Sequence, residues 1–559
     1  MLPKRSWPTR TVALNGRRGP LGQSLGPEPS PSDIPWLFVA YDQLNESLLT
    51  SVTNRLGKVG LIFVESKEKA EKRPCHKQKL ALLLSNMRHF AVEMVEQGWP
   101  LLYLSTTGSY ADALKDTMGD GHVHAIAPAE RELRVDLSAM VEEGQITLHP
   151  HTGWLTNQTW FVESVGTAPP FRMDSFYRRV RKETGWLMLD GQPMGGGYSL
   201  DAENRKPWKG EPAAPQPPRF SADKIDEEVH DMVNACFQHH PGVVDLEALP
   251  TTAHQAQEAL AYGMEWLAWF GPYEDAMSER SRTLFHTRLA PLFNLHRVMP
   301  IEAVTRALSC EAPLNSIEGF VRQLVWREYV HHVHEVTDGF RTLDVHREPA
   351  VRGARWGEWV AHDDELHPNH LEQRAPLFPA YWGQESGLRC LDANVEAVME
   401  DGWTHHIPRL MVLSNLANLL DVDPRELTDW FHAAFIDAFD WVVEPNVLGM
   451  GTFSLGTAMM TKPYVSGSAY IHRMSDHCSS CSFHPKKTCP ITRLYWAYLN
   501  RHRNAFAKNH RMSMAMRNAS KRSEETQAED AAVFVSVQSA LLEGKSLVDA
   551  SGTLREFIH

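Results

Sequence analysis

Three cysteines crowd into "HCSSCSFHPKKTCP", residues 477–490, of a chain that holds seven in all. Cys478 and Cys481 form a C-x-x-C pair, and Cys489 follows eight positions on, next to Pro490. Thiolates at such spacings bind tetrahedral zinc, and the same ligands with a Cys-Pro ending also hold iron–sulfur clusters. Zinc, a cluster or neither all fit the local pattern. The fourth ligand has to come from elsewhere, with Cys390 the nearest remaining cysteine and His477 or His484 the zinc-like choices. Cys75, Cys236 and Cys310 are isolated and read as small buried residues. His405 and His406 form a second chemical pair. Neighbours on a helix point about 100° apart, so one imidazole can face a cavity while the other anchors it. Imidazole titrates near neutrality and suits proton transfer, although a lone histidine is more often structural.

These groups need a scaffold. "WLFVAYDQLN" (36–45), "VGLIFVES" (59–66), "PLLYLS" (100–105) and "HVHAIAP" (122–128) are short apolar runs typical of buried parallel strands. Helical patterns separate them, notably 76–99. The alternation predicts a doubly wound α/β domain over 35–165, with Asp42 and Glu65 at strand ends, as ligand-holding groups or as plain strand-end solvation. Residues 166–230 are rich in Pro, Gly and charge and read as a surface connection. Gly195–Gly197 is no phosphate loop, because no strand precedes it and no Lys-Ser/Thr follows. Residues 231–510 carry 3.6-residue periodicity and predict an all-α domain. Within it, "DPREL" (423–427) marks a helix start, with Asp423 as N-cap, Pro424 first and Glu426 closing a capping box.

The totals bound the class. The chain has 559 residues, 43% hydrophobic and 22% charged, as in an ordinary globular protein. No apolar run reaches the roughly 18 residues of a membrane helix. Sparse cysteines indicate a reducing compartment. A net charge of −13 argues against indiscriminate coating of nucleic acid. Yet residues 491–522 carry eight Lys/Arg and no acid, interleaved with Tyr495, Trp496, Tyr498 and Phe506, a phosphate-contacting surface or a solvated helix face. Residues 1–34 read as a disordered basic tail, with a transit peptide as the alternative. Residues 511–559 form a C-terminal extension whose part 523–559 begins acidic and turns amphipathic, a docking helix or partner site.

A resemblance narrows the reading. "RQLVWREYV" (322–330) resembles the W-R-E-F segment of photolyases and cryptochromes, and "LFHTRLAPLFNL" (284–295) the segment that wraps the flavin diphosphate. "FYRRVRKETGWLMLDGQPMGGGYSLDAENRKPW" (176–208) and "HHIPRLMVLSNLANLLDVDPRELTDWF" (405–431) look like the iron–sulfur bacterial cryptochromes and photolyases, the prokaryotic (6-4) group. The resemblance runs from about residue 36 to 510. It implies an α/β antenna domain followed by an all-α FAD domain. It also implies a [4Fe–4S] cluster on Cys390, Cys478, Cys481 and Cys489, with a shorter loop before the last ligand than the group usually has.

By the same resemblance Thr287, Arg288, Asn294, Gln323, Arg327, Arg409, Asp437 and Asn446 contact FAD. His405 is the proton donor to the lesion, His406 its support, and Tyr464 an aromatic of the lesion pocket. Trp382 and Trp430 pass electrons, with Phe431 standing where group members can carry tyrosine. Asp42 and Glu65 hydrogen-bond a 6,7-dimethyl-8-ribityllumazine antenna, although Cys75 interrupts the usual basic run there. Arg178, Arg179, Arg181 and Lys182 contact DNA, as do the basic residues of 491–522. The implied activity is light-driven repair of (6-4) photoproducts in UV-damaged DNA by a cytoplasmic, non-membrane monomer. The alternatives are a blue-light receptor without repair, a cyclobutane-dimer photolyase, and a zinc-stabilised DNA-binding protein.

Overall fold

The computed structural model describes residues 7–29, 34–351, 365–549 and 553. Its first core is a six-stranded sheet in the order β1-β4-β3-β2-β5-β6. The strands are β1 (Val12–Ala13), β2 (Trp36–Phe38), β3 (Gly60–Ser66), β4 (Leu101–Thr106), β5 (Val123–Ile126) and β6 (Ile146–His149). All pairs are parallel except β1 with β4. β3 and β4 are buried along their whole length, which explains why they read as unbroken apolar runs. The chain winds outward from β2 through β3 to β4, then crosses to β5. The order therefore reverses between β2 and β5, where doubly wound folds bind ligands.

Helix α1 (Lys77–Glu96) covers one face of this sheet, its N-terminus closed by the His76 side chain accepting from the Gln78 amide (3.1 Å). Two expected boundaries shift. Residues 7–29 are folded: β1 joins the sheet edge, Trp7 is buried and its Nε1 donates to the Thr106 carbonyl (2.7 Å). The disordered tail therefore fails over this stretch, and residues 1–6 and 30–33 lie outside the described residues. The 166–230 connection is also partly structured. Its helix α2 (Met173–Thr184) buries Phe176, Tyr177 and Val180 in the helical core. Helix α3 (Lys224–Cys236) returns to the sheet domain, burying Val229 and Val233 there, with His89 bonded to Asp226 (3.2 Å).

The second core is helical. Its central helix α4 (Leu314–Val336) is buried along most of its length. The same core takes in buried residues of α5 (Arg389–Asp401) and α6 (Pro424–Ala434). Asp423 caps α6 as expected, accepting from the amides of Arg425 and Glu426. Glu426 does not complete a capping box; its carboxylate takes the Leu377 amide (2.8 Å) from a neighbouring segment. Helix α7 (Ile491–Arg501) follows the cysteine segment, and α8 (Glu524–Leu542) packs along it. The C-terminal extension thus docks on its own chain; residues 550–552 and 554–559 lie outside the described residues. Among the described residues no helix is long and apolar enough to cross a membrane.

Candidate active site

Every residue expected to contact flavin lines one cavity: Thr287, Arg288, Asn294, Gln323, Arg327, Arg409, Asp437 and Asn446, together with His405 and His406. Three unusual backbone segments shape it. Arg409–Ser414 and Pro445–Gly451 are π-helical turns, which re-aim side chains and collect at functional sites. Arg288 adopts a left-handed backbone (φ 55°), a strained conformation for a residue with a side chain.

Most polar groups here are already paired. Arg409 grips Asp437 through two hydrogen bonds (2.9 and 3.0 Å), donates Nε to the Thr404 carbonyl, and lies 4.2 Å from the Phe435 ring centre. Gln323 donates to Glu274 (2.7 Å), and Trp326 Nε1 donates to Asn446 (2.9 Å). Arg327 is wedged between the rings of Trp154 and Trp441 and donates to Asn294 Oδ1 (3.1 Å). Burial lowers its pKa to about 10, and its hydrogen bond braces Asn294. Arg288 differs. It faces the Trp403 ring, is desolvated enough to depress its pKa, and bonds no carboxylate among the described residues. A lone desolvated guanidinium on a cavity wall fits a diphosphate.

His405 is buried at the N-terminal edge of the turn His406–Pro408 and stacks on His286 with ring centres 4.1 Å apart. Burial, then the positive fields of His286 and His406, drive its pKa well below that of free imidazole. His406 Nε2 lies 3.8 Å from Glu274, which also takes Asn204 and Arg322. His286 and Glu274 escaped sequence reasoning: one sits inside "LFHTRL" and the other in "GPYED", and neither belongs to a recognisable pair or spacing.

The comparisons bear on this cavity. Residues 320–484 match the family model "FAD binding domain of DNA photolyase", and residues 37–248 match "deoxyribodipyrimidine photo-lyase-related protein". A "(6-4) photolyase" of Agrobacterium fabrum is 31% identical over 459 residues, spanning 78% of this chain and 86% of that protein. The chain belongs to the prokaryotic (6-4) photolyase group. A deoxyribodipyrimidine photo-lyase of Alkalihalophilus pseudofirmus is 26% identical over 27% of this chain and 28% of its own. The crystal structure of a bacterial class III photolyase from Agrobacterium tumefaciens shares the fold, with TM-score 0.52 at 14% identity, covering 92% of this chain and 98% of that one. The FAD-domain match and the donor set of the cavity agree that this photolyase binds FAD.

The remaining expected residues of this photolyase fall into four places. Cys390, at the start of α5, is buried, with Cys478, Cys481 and Cys489 packed against the same core. Burial raises the thiols of Cys390, Cys478 (to about 11) and Cys489 (to about 12), and the charge of neighbouring cysteines adds to it. Such a set needs a cationic group to become thiolate. Among the described residues no three of the sulfurs fall within 4.8 Å of one another. A single zinc, with Zn–S near 2.3 Å, would draw them closer than that.

Trp430 is buried on α6 and donates to the Tyr381 carbonyl (2.8 Å), with the Tyr381 ring 5.1 Å away. Trp382, next to Tyr381, is half-buried. Tyr464 lies outside the cavity lining, 38% exposed, in the field of Asp201, Arg205 and Arg511.

At the β2–β5 switch point Asp42 is buried, and neither oxygen makes a hydrogen bond of good geometry. Burial, then Glu130, raise its pKa to about 7, against slight relief from the backbone amides of Ala129 and Asp42. Glu65 is not open in the same way. Its carboxylate is bound by Arg88 (2.7 and 3.0 Å) and the Tyr103 hydroxyl (2.9 Å).

Of the basic cluster on α2, Arg178 and Lys182 are exposed, whereas Arg179 pairs with Glu163 and Glu183. Arg181 corrects the expectation of DNA contact. It is fully buried and donates to the carbonyls of Trp186, Leu187 and Tyr198, which turn back over it. In 491–522, Arg493 and Arg522 pair with Asp530 of α8, and Arg501 with Asp421. Part of the expected phosphate surface is therefore neutralised internally.

Proposed function

We propose that the chain is a light-driven DNA repair enzyme acting on (6-4) pyrimidine–pyrimidone photoproducts. The observation that carries this reading is a buried imidazole, His405, on the wall of the cavity that collects the FAD-contacting residues. Bound and reduced FAD supplies a light-excited electron to the lesion. The chain's own residues do the rest.

Arg288 neutralises the diphosphate, and the Arg409–Asp437 pair presents a fixed dipole to the ring system. Gln323, held by Glu274, and Asn446, held by Trp326, are fixed hydrogen-bonding groups that need no rearrangement when the cofactor enters. His405 holds the proton needed for transfer of the lesion's hydroxyl group. His286, stacked on it, and His406, near Glu274, fix its orientation. Trp430 and Trp382 form the route for photoreduction, with Tyr381, its ring 5.1 Å from that of Trp430, as a further oxidisable ring where Phe431 cannot serve. Tyr464 meets the flipped lesion at the rim.

Cys390, Cys478, Cys481 and Cys489 hold a [4Fe–4S] cluster, which their wide spacing favours over one zinc. Iron and inorganic sulfide in equal amounts, absent from Cys390→Ala, are the expected analysis. Asp42 offers the lumazine antenna its hydrogen bond, while Glu65 shapes the crevice through Arg88. Arg178 and Lys182 contact phosphates.

The deciding experiment illuminates reduced protein with two oligonucleotides, one carrying a (6-4) photoproduct and one a cyclobutane dimer, beside dark controls. Light-dependent restoration of only the (6-4) strand is expected. If neither strand is restored while flavin is bound, the chain is a photoreceptor.

A further inference from the structure

His405 borders two cavities. Beyond the flavin cavity lies a second, polar one of about 130 Å³, and Thr404 and His405 are the residues common to both linings. Its outer wall is charged: Glu279, Arg282, Arg389 and the exposed Glu396. Its inner wall is buried and mostly uncharged: Asn394, Ala397, Thr404 and His405. Two buried polar atoms of the shared residues, Thr404 Oγ1 and His405 Nδ1, have no protein partner. Such atoms beside a polar cavity of this size are satisfied by water, and the volume holds several molecules.

Damaged DNA seated over the flavin cavity closes the open side of His405 to solvent. The imidazole that must deliver a proton is then cut off on that face. We propose that the second cavity is the water-filled route by which His405 takes up its proton from solvent in the DNA-bound enzyme. The inference rests on the repair reading above. The step balances simply: hydronium in the cavity gives its proton to neutral imidazole, one N–H bond forms, one O–H bond breaks, and no electron moves.

The electrostatics fit. The charged groups acting on His405, namely His286, His406, Arg409 and His477, all disfavour the imidazolium, so the resting ring is neutral and must acquire its proton. At the mouth Glu279 remains ionised down to about pH 2, held by hydrogen bonds from His477 and Arg389. Arg389 balances its charge, so the mouth is a polar, ion-paired rim. Thr404 acts as a positioning residue whose hydroxyl orders the inner water.

The test is a pH jump on the preformed complex of full-length, FAD-loaded protein with (6-4) oligonucleotide, followed by one saturating flash after a variable delay. In the wild type, repair per flash adjusts to the new pH within the mixing time. In Ala397→Leu, which narrows the cavity, the adjustment is about tenfold slower and reaches the same final yield. In Thr404→Val, which removes the hydroxyl at constant shape, it slows as much when each delay is scaled to that variant's own final yield. Should Ala397→Leu fail to fold, Thr404→Val carries the test alone. Variants that adjust as fast as the wild type, or that lose yield equally at every pH without delay, overturn the proposal. A wild type that repairs nothing overturns the repair reading instead.

Discussion

The flavin cavity and the β2–β5 crevice handle buried charge in opposite ways. In the cavity, Arg409 is held by Asp437, Gln323 by Glu274 and Asn446 by Trp326, so most of the charged and amide groups are paired before any cofactor arrives, Arg288 excepted. In the crevice, Asp42 is buried beside Glu130 with no hydrogen bond of good geometry. The first arrangement is preorganised, and binding there costs little rearrangement. The second stores an unfavourable interaction that only a bound donor or a proton relieves. If the crevice takes the proposed antenna, its emptiness should show in the stability of the protein more than that of the cavity, because its carboxylate is the unbonded charge.

The comparison can be broken at either end. The largest effect is expected from His405→Ala, which should cut (6-4) repair by about 100-fold or more while flavin content stays normal. Equal loss of flavin and repair would instead make His405 a wall residue. The wild-type repair yield should rise as pH falls, because the depressed pKa leaves His405 neutral near pH 7. Next, Arg409→Met strands the buried Asp437 carboxylate and should cost roughly 3 kcal/mol of stability, read by urea unfolding, together with release of flavin.

Asp42→Asn should act in the opposite direction. The folded-state pKa of Asp42 is raised to about 7, so the folded protein holds a proton that the unfolded chain has lost, and stability falls as pH climbs toward 7. The amide should therefore stabilise antenna-free protein by ~4 kcal/mol above neutrality and by nothing at acid pH. A pH-independent effect would end the contrast between the two sites. The smallest expected change is faster flavin photoreduction in Phe431→Tyr, followed by absorbance under blue light; no change would leave Tyr381 as the sufficient relay.

The helical site was legible because its residues lie in a few contiguous segments whose pattern survives in one sequence. Thr287, Arg288 and Asn294 share one such segment, and His405 and Arg409 another. What escaped depends on distant partners. Glu65 looked free at its strand end until Arg88, a residue of α1, closed on it. Arg181 looked like a phosphate ligand because its acceptors are main-chain carbonyls, which composition does not reveal. The charges of Arg493 and Arg522 counted as available until α8 brought Asp530 against them. Charge runs show where charge is made, and only the fold shows where it is spent.

The two-residue strand β1 also protects the sheet. By pairing antiparallel with β4 it occupies the backbone donors and acceptors of a buried, apolar edge, Leu101–Thr106. Unpaired edges of that kind recruit other chains, and a short antiparallel strand is an effective block. Protein lacking residues 1–29 should retain its cavities yet self-associate, so this basic segment keeps the molecule from becoming the template for its own aggregation.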